Sequence, residues 1–316
     1  MFVSVINNIK KEIKKVIVGH DELIDSLLIG LLANGHILVE GVPGLAKTTA
    51  INAIAKSLGI DFKRVQFTPD LLPSDVTGTE IYNPKSGEFS IKKGPAFTNL
   101  LLADEINRAP AKVQASLLEV MQERQITIGD ESFRLDEPFL VMATQNPVES
   151  EGAYRLPEAQ LDRFMLKVNV GYNTFEEELE VVSRVAVDGF ETINQVATVE
   201  QLQELKQQTK QIHVDEAVKE YMLKIIFATR EPQKYGVDGI AEFIEYGASP
   251  RASIDLYKAS CAYALIRGNE YVTPLDISYV VTSVLRHRII LNYKAQASDI
   301  DTDYIVKQIM LNIKNP

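Results

Sequence analysis

Gly41-Val42-Pro43-Gly44-Leu45-Ala46-Lys47-Thr48, with Thr49 next, stands directly behind the apolar run His36-Ile37-Leu38-Val39-Glu40. It opens a helical pattern that runs to Leu58, with Gly59 as the expected stop. A buried strand, a glycine-bearing turn and Lys-Thr at a helix start are how a chain builds a phosphate cradle. Backbone N–H groups and the positive helix end face the anion. Lys47 reaches the β- and γ-phosphates, and the Thr48 hydroxyl is placed to ligate magnesium. Residues 41–49 are therefore expected to bind a nucleoside triphosphate. The other reading is a glycine-rich turn followed by a solvated lysine.

The strict form of this pattern has glycine before the lysine, where this chain has Ala46. Alanine is excluded only where the backbone needs positive φ or a Cβ would strike the ligand. The expectation is thus a negative φ at Ala46.

The second half of the site is Asn99-Leu100-Leu101-Leu102-Ala103-Asp104-Glu105. Leucines buried on both faces suit a central parallel strand, and a carboxylate at its C-terminal end lies where open α/β sheets place ligands. Asp104 is expected to hold magnesium through water, and Glu105 to polarise the attacking water. A solvated strand end is the other reading of two adjacent acids, and it loses ground when the same strand-then-acid layout follows a phosphate cradle.

At 316 residues, 46% apolar and 24% charged, the chain has room for two domains and an ordinary globular composition. A net charge of −10 argues against broad binding to nucleic acid or anionic membranes. The only cysteine, Cys261, lies in an apolar helical stretch and reads as a buried small hydrophobe. His20, His36, His213 and His287 are scattered, without zinc-site spacing. No apolar run approaches the length of a membrane span, and no signal-peptide core follows Lys10, Lys11, Lys14 and Lys15. Phe2, Ile6, Ile9, Ile13 and Val16 recur at helical spacing, which predicts an amphipathic helix packed on its own domain. The expected location is the cytoplasm.

Five strand candidates alternate with helices: Ile37–Glu40, Arg64–Phe67, Leu100–Ala103, Phe139–Thr144 and Met165–Val170. That alternation predicts an α/β fold with a five-stranded parallel sheet. Two segments, 78–91 and 125–135, read as β-hairpin insertions on either side of the third strand. From about Asn173 the pattern is helical only, with start signals at Thr198/Gln201, Asp215, Ser249-Pro250 and Thr273-Pro274/Asp276. The expected division is 1–172 and 173–316.

Three further polar groups stand at element ends. Asn146, in Ala143-Thr144-Gln145-Asn146-Pro147, follows the fourth strand, where a polar side chain can align a water. Arg163, in Leu161-Asp162-Arg163-Phe164, precedes the fifth; its bland reading is an internal salt bridge with Glu158 or Asp162. Arg251, in Ser249-Pro250-Arg251, sits in a first helical turn, where a cation opposes the dipole and hints at a bound anion. Its bland reading is a pair with Asp255.

Taken together, these stretches, with Leu101 to Pro110, Leu117 to Glu123 and Leu156 to Phe164, resemble the MoxR family of AAA+ ATPases. Ala46 is a common variant in that family, whereas Arg155 stands where many relatives have proline. The resemblance implies an AAA+ P-loop NTPase core over 1–172 and an all-helical lid domain over 173–316. It implies ATP and Mg²⁺ as ligands, with Thr48 and Asp104 on the metal. Asn146 becomes sensor 1, Arg163 an arginine finger given to a neighbouring subunit, and Arg251 sensor 2, reaching the nucleotide beside Lys47. Val18-Gly19 matches the stretch that usually lines the adenine pocket. The hairpins become the helix-2 insert and the pre-sensor-1 hairpin. The family is thought to act as hexameric, chaperone-like rings with von Willebrand factor A domain proteins on a protein client. Two alternatives stay open: a nucleic-acid motor of the same clade, and a nucleotide-switched scaffold with negligible turnover.

Overall fold

The computed structural model describes residues 2–85, 87–147, 154–187, 189 and 191–316. The Phe2 side chain and Ser86, both part of the sequence expectations, lie outside the described residues. Helices α1 (Phe2–Ile13) and α2 (Asp21–Ala33) lead into β1 (Ile37–Glu40) and α3 (Lys47–Leu58). Next come β2 (Phe62–Gln66), the short α4 (Pro73–Thr77) and the hairpin β3 (Gly78–Asn83) and β4 (Glu88–Lys93). After β5 (Leu100–Asp104) and α5 (Ala111–Glu123) comes a second hairpin, β6 (Gln125–Ile128) and β7 (Glu131–Arg134). Then follow β8 (Leu140–Gln145), α6 (Glu158–Leu161) and β9 (Leu166–Asn169).

The expected five-stranded sheet is present, in the order β2-β5-β8-β1-β9 and parallel throughout. Alternation along the strands divides the core between its two faces. Ile37, Val39, Leu100, Leu102, Leu140 and Met142 belong to one apolar cluster, built also from α1, α2, α3 and the C-terminal helices. Leu38, Leu101, Ala103, Val141 and Ala143 belong to the other, with Val113, Leu117 and Met121 of α5 and Ile126 and Ile128 of β6. Both faces are covered, which is why these strands read as continuous apolar runs. The α1 stripe behaves as its spacing implies: Ile6, Ile9 and Ile13 are buried.

Both insertions are antiparallel hairpins, one on each side of β5 in the chain. They meet: a Cβ added at Gly129, in the second hairpin's turn, would run into the Glu80 carboxylate of the first.

The remainder comprises α7 (Phe175–Val187), α8 (Val199–Gln211), α9 (Glu216–Ala228), β10 (Ile244–Tyr246), α10 (Pro250–Ile266), α11 (Pro274–Leu285), β11 (Ile290–Leu291), α12 (Tyr293–Ala297) and α13 (Thr302–Asn312). Start signals work as the sequence implies. Thr198 and Gln201 form a reciprocal capping box, Asp215 caps Ala217 N–H, and Thr273 pairs with Asp276. The region departs from the helices-only expectation: β10 and β11 form a small antiparallel pair, and His213 and Tyr271 make an isolated parallel bridge. At three and two residues, such strands leave no periodicity to read. Cys261 is buried as expected, and burial pushes its thiol pKa up to about 12. Among the described residues, no helix is long and apolar enough to cross a membrane.

Candidate functional site

The cradle forms at the C-terminal end of β1. Gly41 is required by close approach, since a Cβ there would lie 2.5 Å from the Val170 carbonyl oxygen beyond β9. Gly44 has φ 89°, a conformation open to glycine. Ala46 contradicts the sequence expectation: it caps α3 at φ 51°, ψ 15°, in the left-handed region. The turn demands that geometry, and the alanine accepts a cost of about 1–2 kcal/mol for it. Gly59 stops the helix at φ 65°, as expected. The Lys47 ammonium donates to the Gly41 carbonyl at 2.6 Å, folded back over the loop. Partial burial lowers its pKa, while the charges of Asp104 and Glu105 raise it.

Opposite the loop, Asp104 ends β5 and Glu105 takes the left-handed conformation, φ 55°. Thr144, on the neighbouring strand β8, ties them together. Its hydroxyl donates to Asp104 Oδ1 at 2.5 Å and accepts the Glu105 backbone N–H at 2.9 Å. Two side chains on the edge strand β2 engage the acids as well. Arg64 donates to Asp104 Oδ2 from Nε at 3.0 Å and from Nη2 at 2.7 Å. Gln66 accepts from Arg64 Nη2 at 2.8 Å and donates to Glu105 Oε2 at 2.7 Å. Arg108 approaches Glu105 Oε2 at 3.3 Å. Arg64, Gln66 and Thr144 were missed from sequence. The available signal was the alternation that points Arg64 and Gln66 to one face of a strand beside β5.

One cavity of about 340 Å³ collects these groups: Gly41, the 43–49 loop and helix start, Arg64, Gln66, Asp104, Glu105, Thr144, Gln145 and Asn146. Asn146 is a buried lining residue, just past the end of β8, which pairs with β5. The donor set suits magnesium. Thr48 and Asp104 offer two hard oxygens across the cavity, and magnesium takes one or two protein ligands with phosphates and waters supplying the rest. Among the described residues, no group of three or more His, Cys, Asp or Glu could hold a metal by itself.

Val42, Val18 and Gly19 do not line this cavity. The Val18 carbonyl accepts from Asn173 Nδ2 at 3.0 Å, and the Glu177 carboxylate lies against Gly19. Arg163 and Arg251 also lie away from it. Arg163 precedes β9 while the cradle follows β1, and these strands run parallel with Ile37 beside Leu166. Four residues at ~3.3 Å each separate those sheet ends by about 13 Å. Arg163 pairs with neither Glu158 nor Asp162; its guanidinium meets Gln122 of α5. Arg251 pairs with Asp162 at 3.3 Å instead of Asp255, which is taken by the buried Arg288 at 2.5 Å. Asp162 also accepts from Ser249 Oγ and, at 2.9 Å, from Arg288 Nε.

A family model for the ATPase family associated with various cellular activities (AAA) matches residues 36–166, and one for the AAA lid domain matches 239–309. The chain is 47% identical over 305 residues to Chaperone MoxR1 of Mycobacterium tuberculosis (strain ATCC 25618 / H37Rv), covering 96% of this chain and 81% of the relative. It is 33% identical over 301 residues to Protein MoxR of Paracoccus denitrificans, covering 88% and 86%. A crystal structure from Cytophaga hutchinsonii ATCC 33406, provisionally assigned as an ATPase, superimposes with a TM-score of 0.94 at 48% identity, covering 100% of this chain and 96% of the other. Parallel sheet, cradle, paired acids and lid together define an AAA+ P-loop ATPase. Similarity over most of both chains narrows the class: the chain belongs to the MoxR family.

Proposed function

We propose that this chain is the subunit of a ring, most simply a hexamer, that hydrolyses ATP with magnesium to remodel or activate a protein partner. The observation that carries this reading is the convergence of Lys47, Thr48, Asp104, Glu105 and Asn146 on one cavity. Lys47, released from the Gly41 carbonyl, places its charge on the β- and γ-phosphates. Thr48 and Asp104 would hold magnesium, whose chemistry when bound is to neutralise charge on the phosphate oxygens. Glu105 takes the proton of the attacking water, and Asn146 aligns that water.

The positions of Arg163 and Arg251 support completion of each site by a neighbour. Both stand at the sheet end remote from their own cradle, since Arg251 pairs with Asp162, the residue that precedes Arg163 in the chain. That placement favours giving both guanidiniums to the adjacent subunit's nucleotide over the cis role that the sequence suggested for Arg251. Residues 173–316 act as the lid that carries Arg251. The exposed Ile81, Tyr82 and Phe89 of the first hairpin offer apolar surface that suits a protein client. The resemblance points to a von Willebrand factor A domain protein as co-factor of the ring and to the cytoplasm as its location.

The test is Glu105→Gln. It should retain ATP binding, slow hydrolysis by about 10²–10⁴-fold, and hold the partner longer in an affinity pull-down with ATP. A wild-type hydrolysis rate would show that another residue activates the water. Negligible turnover in the wild-type chain, alone and with candidate partners, would favour the switched scaffold.

A further inference from the structure

Both carboxylate oxygens of Asp104 are engaged by protein donors. Oδ1 accepts from the buried Thr144 hydroxyl, and Oδ2 accepts from two nitrogens of Arg64 at 3.0 and 2.7 Å. The two partners differ in kind. Thr144 is fixed within the sheet and 1% exposed. Arg64 projects from the edge strand β2, with its side chain 49% exposed against 18% for Asp104. Oδ2 is the oxygen whose partner is free to swing toward solvent. The Gln66 carbonyl steadies the guanidinium at 2.8 Å, so it is aimed at Asp104 and not only drawn to it.

We propose that Arg64 is a placeholder for magnesium on Asp104. This rests on the reading that Asp104 holds the metal. A guanidinium and a hydrated divalent cation compete for the same oxygen, directly or through the metal's water. Without magnesium, Arg64 neutralises Asp104 and preserves the acid's geometry. With it, the guanidinium swings out on its flexible stem, which an exposed edge position permits. Nucleotide loading thereby requires a higher magnesium concentration than it would with an unpaired Asp104. An ion pair whose arginine is half exposed is weak enough to be displaced, which a placeholder requires.

The test is binding of the slowly hydrolysed analogue ATPγS, measured by calorimetry across a titration of free magnesium and again in EDTA. Arg64→Gln should lower the magnesium concentration for half-maximal binding by about two- to tenfold, the range spanned by exposed and charge-assisted pairs. Binding in EDTA should be little changed, and Arg64→Lys should fall between Arg64→Gln and wild type. An unchanged magnesium dependence in Arg64→Gln would overturn the proposal. Equal loss of affinity with and without magnesium would also overturn it, because Arg64 would then be a phosphate ligand. Asp104→Asn separates the metal assignment from the placeholder role of Arg64. It should abolish the effect of Arg64→Gln. If Asp104→Asn itself keeps the wild-type magnesium dependence, the metal assignment fails, and the placeholder fails with it.

Discussion

The Thr144 hydroxyl donates to Asp104 Oδ1 at 2.5 Å, so a residue of β8 sets the acid that ends the neighbouring strand β5. The Thr144 hydroxyl oxygen also accepts the Glu105 N–H, which helps hold Glu105 in its left-handed conformation. Thr144→Val keeps the shape and removes both bonds. A hydrogen bond to a charged group is worth about 1.5–3 kcal/mol, so hydrolysis should slow by about 10- to 100-fold. Steady-state ATPase and nucleotide-binding measurements check this. A wild-type rate would show that the acids hold their positions without Thr144.

Ala46 is strained where glycine would not be. Ala46→Gly removes the cost of a left-handed alanine but frees the unfolded chain, two effects of opposite sign. The first is larger, and the net gain should be about 0.5–1 kcal/mol, or roughly 1–3 °C in the unfolding midpoint. Calorimetry without nucleotide measures it. A lowered midpoint would mean that packing of the Ala46 methyl against the core outweighs the strain.

His36 joins two elements beneath the site. Its Nδ1 accepts from Val141 N–H at 3.0 Å, so its Nε2–H donates to the Met121 carbonyl at 3.0 Å. Burial lowers its pKa from 6.5 to about 4, with the Met121 hydrogen bond opposing and the Arg124 charge adding to the shift. The unfolded chain therefore binds the proton more readily between those values. The stability contribution is fully present above about pH 6.5 and is lost as pH falls toward 4, by up to about 3 kcal/mol. Buried His287, also shifted down, acts in the same direction. Urea unfolding at a series of pH values should show a shallower decline for His36→Gln than for wild type. Equal slopes would place the titration elsewhere.

Local signals made most of this molecule legible. The cradle, the Gly59 stop, both hairpins and the caps at Thr198, Asp215 and Thr273 each depend on residues within a few positions of one another. What escaped depends on distance or on backbone angle. Arg64 and Asp104 are 40 residues apart and meet only because β2 and β5 pair. Arg251 has Asp255 four residues away, yet its partner is Asp162, 89 residues distant, because buried Arg288 claims Asp255. Nothing in an alanine's chemistry announces a positive φ, so the Ala46 expectation followed propensity and missed what the loop imposes.

The proposed completion of each nucleotide site by the neighbouring subunit is tested most directly by mixing inactive chains. Arg163→Ala and Lys47→Ala chains should each form rings without ATPase activity. A finger supplied in trans is worth about 10³–10⁵ in rate, so any interface that pairs an intact Lys47 with an intact Arg163 should turn over measurably. Rings assembled from both variants should therefore recover part of the wild-type activity. No recovery, in rings shown to contain both chains, would contradict the trans role of Arg163.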